Sequence, residues 1–491
     1  MTELSKRPPG LAPTGKPALP GSVGALLMPT LVFAMLAYTG VQTAVVPLLP
    51  MLAREFQVSG STASWLMTAN LLSAAIATPL LGRIGDLRGR RPVLLVSLGG
   101  LVAGSLVAVS TDSFALLITA RVLQGFAGGV LPLAISVVRD ELPTNRVTGG
   151  VALISASMGV GSGLGLVAAG VLTNHWSYRS VFWAGLVLGA LAMVLVARFV
   201  PNKSADDQTQ GADPLGTITL AGWLSALLIA LSQGHTWGWG STRTVTLFAV
   251  AAVLALVWIL IEYRVPHPLV DISMMSRPAV AAANVSGLLI GFGMYGTFMV
   301  ISDFVQTPER FGYGFSATIL HAGIMVLPAA AGSLLAAPLG SIMITRWGPD
   351  VPMITGGLLT GLTLLFLAFH HTHQGTIYAA CSVFGIGMGL AFAAMPAYIS
   401  TSVSPAQSGI ANGMNAVLRT VGGAIGTSIL GSMLASETIK GLPPGLAVPT
   451  GNAYKHVFLV AGLICLAVVA VPFVVRVIRP GHRPAHAAAR R

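Results

Sequence analysis

Long apolar runs alternate with short polar breaks along almost the whole chain. About fourteen runs reach the roughly 20 residues that a helix needs to cross a bilayer. They lie near Ala25–Leu48, Thr62–Leu81, Pro92–Ser110, Phe114–Val138, Thr148–Leu172, Arg179–Val200, Leu215–Ser232, Thr244–Tyr263, Pro278–Gln306, Ser316–Met343, Val351–Phe369, Thr376–Ser400, Pro405–Ala435 and Tyr454–Val477. One internal break is long and polar: Pro201 to Pro214, with Lys203, Asp206, Asp207 and Asp213, reads as a central linker. A second charged segment, Arg264 to Arg277, precedes the ninth run. Met1 to Gly24 is rich in Pro, Gly and Lys without an apolar core, so it reads as a disordered tail and not as a cleavable signal.

Composition agrees with the pattern. Of 491 residues, 54% are hydrophobic and only 9% are charged, where a soluble protein carries about 25%. The net charge of +12 does not point to nucleic acid, because the basic residues sit between spans and in the tails, as topology signals do. An even number of spans puts both termini on one side. Assigning loops alternately places most Lys and Arg on that side, which makes it the cytoplasm. The C-terminal tail from Arg476 to Arg491 then lies where anionic lipid would hold it. Cys381 and Cys465 fall inside apolar runs and read as small core residues.

The densest charge lies in a tight turn between the second and third spans: Gly82-Arg83-Ile84-Gly85-Asp86-Leu87-Arg88-Gly89-Arg90-Arg91-Pro92. Gly82, Asp86, Gly89, Arg90 and Arg91 resemble, in type and spacing, the motif that the major facilitator superfamily carries at this place. Upstream, Trp65-Leu66-Met67-Thr68-Ala69-Asn70-Leu71-Leu72 resembles the second helix of the fourteen-helix drug:proton antiporters, with Asn70 where that family usually has Tyr. The resemblance runs from about Ala25 to Arg476. It implies an all-α membrane protein with the major facilitator fold: a tail (1–24), a six-helix bundle (25–200), a linker with two extra transmembrane helices (201–277), a second six-helix bundle (278–477) and a basic tail (478–491). It also implies a monomer without cofactor or metal in a bacterial inner membrane, exporting small lipophilic or cationic compounds in exchange for protons. A facilitator of another metabolite or lipid is the alternative. Internal echoes fit two halves. Leu142-Pro143 followed by Gly159, Gly161, Gly163 and Gly165 is matched by Ser404-Pro405 followed by Gly422, Gly423 and Gly426. Pro338 to Pro349 keeps Arg346 and Gly348 of the charged turn, with Thr345 in the place of Asp86. Such repeats build a site near the bilayer midplane.

Asp86 is the first candidate. At the end of the second span it can face the N-terminus of the thirteenth, for which Ser404 is a fitting cap and Pro405 a fitting first residue. The helix dipole would favour the carboxylate there by about 0.3–1 kcal/mol, forming a latch that exists only while the inner side is closed. Arg90 and Arg91 can pair with carboxylates or lipid phosphate. Arg121 follows: an arginine inside a span costs about 2.5–3.5 kcal/mol on insertion scales. Arg121, Gln124 and Gly125 match the family's Arg-x-x-Gln-Gly pattern, which is associated with proton coupling; snorkelling toward the interface is the plainer reading. In the first span, Val41 and Val46 stand where many relatives carry Asp and Asn, leaving Gln42 and Thr43 as its polar residues.

Of fifteen acids, only Asp303 looks embedded, about one turn from the outer end of the ninth span, with His321 on the same side. The pair is a candidate protonation site or cation contact, and an interfacial Asp in a wet vestibule is the alternative. Asn412, Asn415 and Arg419 on the thirteenth span, with Met294, Tyr295 and Phe298 on the ninth, are candidate cavity residues, as are Asn70 and Gln124. In the glycine-rich fifth span Gly161 and Gly165 match the family's antiporter motif, while Leu166 replaces its Pro; small residues there favour close helix packing in any case. His370-His371-Thr372-His373 lies in a short loop without acids or cysteines nearby and does not read as a metal site. Trp237 and Trp239 read as an interfacial belt. No phosphate-binding loop is present.

Overall fold

The computed structural model describes residues 21–58, 60–202, 213–266, 268–404, 407–439 and 448–478. The expected N-terminal tail up to residue 20, the linker residues 203–212, Pro405 and the basic tail from residue 479 lie outside the described residues. Among the described residues, fourteen helices are long and apolar enough to cross a membrane. They are α1 (Ala25–Leu48), α2 (Trp65–Arg88), α3 (Arg90–Ser110), α4 (Phe114–Glu141), α5 (Arg146–His175), α6 (Arg179–Phe199), α7 (Leu215–Gly234), α8 (Thr242–Arg264), α9 (Pro278–Gln306), α10 (Leu320–Trp347), α11 (Asp350–Leu367), α12 (Gln374–Ser400), α13 (Ser408–Ser436) and α14 (Gly451–Val474). The chain is a multi-pass, all-α membrane protein.

Glycines set the tight places. Gly89 turns α2 into α3 with φ +95°, and Gly348 turns α10 into α11 with φ +83°. Both are backbone regions that favour glycine, so the echo between the two halves is one of conformation as well as sequence. Within α4, the short 3-10 stretch Phe126–Gly129 lies hard against α2: a Cβ on Gly128 would stand 2.6 Å from Thr78 Oγ1.

Helices α1–α6 and α9–α14 form two bundles that meet along two seams. The first joins α5 to α10 along its length. A Cβ on Gly159 would lie 3.0 Å from Ser333 Oγ, on Gly163 2.8 Å from Ala330 Cβ, and on Gly170 2.7 Å from Leu320 Cα. The intervening glycines face α1 instead: Gly161 would meet Leu36 Cα at 3.1 Å and Gly165 would meet Thr43 Oγ1 at 2.5 Å. One helix thus offers small residues to its own bundle and to the opposite one by turns, which permits close backbone approach.

The second seam joins α2 to α13, but only at the end that carries the charged turn. There a Cβ on Gly82 would lie 2.9 Å from Gly409 O, and one on Gly413 3.1 Å from Pro79 Cα. Toward the far end the seam is filled by α7, which packs against both α2 and α13. Asp213 caps α7 by accepting the Gly216 N–H at 2.7 Å and also takes the Leu269 N–H at 3.3 Å. Glu262 of α8 accepts the Val270 N–H at 3.0 Å. These bonds tie the inserted hairpin to the segment leading into α9. The outer helix α8 leaves Val245, Val253, Leu256 and Leu260 exposed, as a lipid-facing helix would.

Candidate functional site: a sealed charged end beneath an uncharged cavity

At the charged end, the α2–α3 turn aims Asp86 at the first turn of α13. Its side chain is only 2% exposed, and Oδ1 accepts from Arg90 Nη2 at 3.3 Å. Oδ2 is buried; the Ile410 N–H points at the carboxylate without closing to full hydrogen-bond geometry. The approach requires a glycine on the facing helix: a Cβ on Gly409 would stand 2.7 Å from Oδ2 and 2.8 Å from Oδ1. Arg90 also pairs with Asp140 at the end of α4, so a carboxylate–guanidinium–carboxylate chain runs to the helix N-terminus, the charge order that the helix dipole favours. Next to it, Arg139 crosses between the bundles. Nη1 donates to Ser408 Oγ at 2.6 Å and Nη2 to Pro396 O at 3.1 Å. Arg91 donates to Ala197 O on α6, so it serves its own bundle.

One local expectation needs correction. Ser404 does not cap α13. The helix begins at Ser408 after Gln407, and Ser404 Oγ bonds Gln407 Oε1 at 3.3 Å. The sequence reading did not single out Arg139 and Asp140. The available signal was Arg139-Asp140-Glu141, which places an acid beside the basic residue at a span's end.

In the far half lies a cavity of about 550 Å³ between the bundles. Gln42, Thr43 and Val46 line it from α1, Met67, Thr68 and Leu71 from α2, Met294, Tyr295 and Phe298 from α9, and Thr427 and Ser428 from α13. The inserted helix adds Leu228, Ser232 and, just beyond it, Thr236. The lining holds hydroxyls, thioethers and aromatic rings, and among the described residues no charged side chain. Such a surface suits a lipophilic molecule with a few hydrogen-bonding groups.

Met294 and Phe298 line the cavity. Asn70, Gln124, Asn415 and Arg419 do not, because they are engaged between helices. Asn70 Nδ2 donates to Arg121 O at 3.0 Å. Arg121, with no exposed surface, donates through Nε to Leu66 O at 3.1 Å, through Nη1 to Gln124 Oε1 at 2.7 Å and through Nη2 to Gln42 O at 3.4 Å. Gln124 passes the chain to Ser105 Oγ at 2.9 Å. Asn415 Nδ2 donates to Ala283 O at 2.7 Å, fastening α13 to α9. The Arg419 guanidinium lies over the Phe392 ring, 5.2 Å from its centroid. Tyr38 of α1, which the sequence did not mark, stands within electrostatic reach of Arg121 and Arg419 together.

Asp303 and His321 do not meet. Asp303 is exposed beside the cavity-lining Ser302, and its Oδ2 accepts from Tyr454 at 2.6 Å. His321 Nε2 lies 3.4 Å from Tyr378 Oη. The histidine run turns onto aromatic rings: His370 stacks on Phe366, and His371 meets the edge of Phe304.

Known proteins agree with this architecture. The family model described as Major Facilitator Superfamily matches residues 31–308 and 283–491. The chain is 28% identical over 444 residues to a tetracenomycin C resistance and export protein of Streptomyces glaucescens, covering 89% of this chain and 80% of that one. It is 28% identical over 406 residues to the multidrug resistance protein Stp of Mycobacterium tuberculosis, covering 82% and 74%. It is 27% identical over 394 residues to multidrug resistance protein 3 of Bacillus subtilis, covering 79% and 76%. Among solved structures, the human organic anion transporter MFSD10 (TETRAN) superposes with a TM-score of 0.65 over 92% of this chain and 100% of its own; at 15% identity the likeness concerns the fold alone.

Proposed function

Because this chain belongs to the major facilitator superfamily, and to its drug:proton antiporter type, we propose that it exports lipophilic drugs or toxic metabolites from bacterial cytoplasm by alternating access, driven by protons. The charged end is the cytoplasmic end, and both termini lie there, as the positive-inside rule favours. The observation that carries the reading is the juxtaposition of an uncharged cavity in the outer half with a sealed inner half. This is the arrangement of a carrier about to release its cargo outward. The names of the curated relatives, which are resistance and export proteins, support the same direction.

In this reading Gly82, Asp86, Gly89 and Arg90, with Arg139 and Asp140, are the inner latch, and Arg91 braces α3 against α6. Met294, Tyr295 and Phe298 contact the substrate. Arg121 holds α1, α2 and α4 in register, and Asp303, next to the cavity-lining Ser302 and held by Tyr454, is the candidate for proton exchange. With no carboxylate in the cavity wall, uncharged polycyclic compounds are better cargo than cations. The test is uptake of the neutral dye Nile red into inside-out vesicles carrying the protein. Accumulation that collapses when nigericin removes the pH gradient supports proton-driven export; no accumulation above empty vesicles removes the reading.

One observation favours a second reading. Val46 lines the cavity where many drug:proton antiporters are polar, so a facilitator that moves another metabolite or lipid without protons is the alternative. Equilibration of Nile red without accumulation would select it.

A further inference from the structure

The two seams between the bundles are not alike. The α5–α10 seam is closed by glycine contacts at both ends, from Gly149 near Ser341 to Gly170 against Leu320. The α2–α13 seam is closed only at the cytoplasmic end, and α7 stands between these helices in the outer half. The inserted helix therefore lines the cavity through Leu228 and Ser232, and it also keeps the outer halves of α2 and α13 apart. Rocking to an inward-facing state requires those outer halves to converge, which they cannot do with α7 bonded to both.

We propose that α7 is a movable wall of the substrate cavity, one that travels with the C-terminal bundle and parts from α2 whenever the outer mouth closes. The unequal attachments assign the partner. To α2, α7 is joined by the hydroxyl pair of Thr68 Oγ1 and Ser232 Oγ at 2.5 Å. To α13 it is joined by Ser428 Oγ donating to Leu231 O at 2.5 Å, and the Trp239 Nε1–H just beyond it donates to Ser432 Oγ at 3.1 Å. Leu220, Leu224 and Leu228 of α7 belong to the buried apolar cluster that holds Ile290 of α9 and Leu430 of α13; among the described residues the N-terminal bundle gives it Ala75 as a buried member, with Leu72 and Leu166 half-buried against it. Apolar surface buried in a shared core resists separation, whereas a hydroxyl pair exchanges readily between partners. Residues of α7 then shape substrate choice in the outward-facing state and leave α2 as the cavity closes.

This inference rests on the export reading, and the test separates the two. Thr68→Cys with Ser232→Cys places two thiols where the hydroxyls touch, within the reach of a disulfide. Cys381 and Cys465 are buried and stay in place, with each single variant as control. Two readouts are followed. One is Nile red accumulation in inside-out vesicles. The other, which needs no cargo, is N-ethylmaleimide labelling of an added Asn412→Cys, a position only 3% exposed beneath the inner latch. Copper-phenanthroline oxidation of the Thr68→Cys/Ser232→Cys protein should lower both rates at least tenfold, reversibly with dithiothreitol. Joining Leu231→Cys to Ser428→Cys with a short bifunctional thiol reagent should change them less than twofold. Unchanged rates in the oxidised α2–α7 pair, or failure of its disulfide to form, would overturn the proposal. Arrest by the α7–α13 link would overturn the assignment of α7 to the C-terminal bundle. Labelling suppressed by the α2–α7 disulfide in a protein that accumulates no Nile red would refute export and leave the movable wall standing.

Discussion

Replacing Gly82 by alanine should shift the protein toward its inward-facing state without unfolding it. The added Cβ would lie 2.9 Å from Gly409 O and 3.1 Å from Gly409 C. Both are backbone atoms near the start of α13, so neither can turn aside like a side chain. Ordinary contact needs about half an ångström more, and overpacking of this kind costs roughly 1–3 kcal/mol. The strain acts only while α2 and α13 touch, so it raises the free energy of one state relative to the other. A difference of 1–3 kcal/mol corresponds to an approximately 5–150-fold change in their ratio. Labelling of Asn412→Cys from the cytoplasmic side reads that ratio and should accelerate within this range, while the detergent melting temperature stays within a few degrees. If labelling stays at the parent rate, the Gly82–Gly409 contact is not a feature of one state. If the variant instead melts far lower with no gain in labelling, the contact is permanent packing and the latch is wrong.

Gly409→Ala should act similarly, because its Cβ would meet both Asp86 oxygens; Asp86→Asn, which keeps the shape and removes the charge, should weaken the latch by about 0.3–1 kcal/mol, read as a less than tenfold rise in the same labelling. Arg121→Ala removes charge-assisted hydrogen bonds to Leu66, Gln42 and Gln124, each worth about 1.5–3 kcal/mol, so the melting temperature should fall clearly and Arg121→Lys, lacking the planar fork, should recover little. A variant that keeps its melting temperature but loses the pH dependence of export would show Arg121 to be a coupling residue instead. Phe298→Ala should cut Nile red export severalfold while leaving Asn412→Cys labelling without dye unchanged, since Phe298 faces the cavity and not the latch.

The parts of this molecule that the sequence displays are those the bilayer dictates. Span length and the rarity of charge within spans mark out fourteen helices, and the Gly82–Arg91 turn is legible because an acid among arginines gains nothing from topology. Contacts between spans are less visible. A helix that is apolar all round carries no amphipathic stripe to say which way a polar residue faces. Asn70, Gln124, Asn415 and Arg419 therefore look like cavity residues, yet each is occupied by a neighbouring helix. Thr68 and Ser232 look unremarkable and yet meet in the cavity wall, joining α2 to α7. The placement of Arg139 is hidden for a similar reason: its partners, Pro396 and Ser408, lie more than 250 positions away, and the acids that follow it, Asp140 and Glu141, are the local sign that sets it apart from a topology arginine. Span five shows the opposite case. Its glycines predict close packing whatever the neighbour, and the structure divides them between α1 and α10.

The separation of charge from cavity constrains how protons could drive export. In a carrier whose substrate and proton compete for one cavity carboxylate, a cationic cargo displaces the proton directly and a neutral cargo does not. Here the cavity wall has no carboxylate. Two acids outside the wall are candidates: Asp86, sealed in the inner latch, and Asp303, held by Tyr454 next to the cavity-lining Ser302. A proton binding at either site would bias the equilibrium between states and leave cargo affinity within a state unchanged, so coupling acts through population and not through displacement. Neutral Nile red and cationic ethidium should then give superimposable pH profiles of relative export rate, differing only in overall rate. Asp303→Asn should flatten both profiles equally. A profile for ethidium displaced by a pH unit or more from that of Nile red would mean that cargo charge competes with the proton, and would place an ionisable group in the cavity that these side chains do not supply.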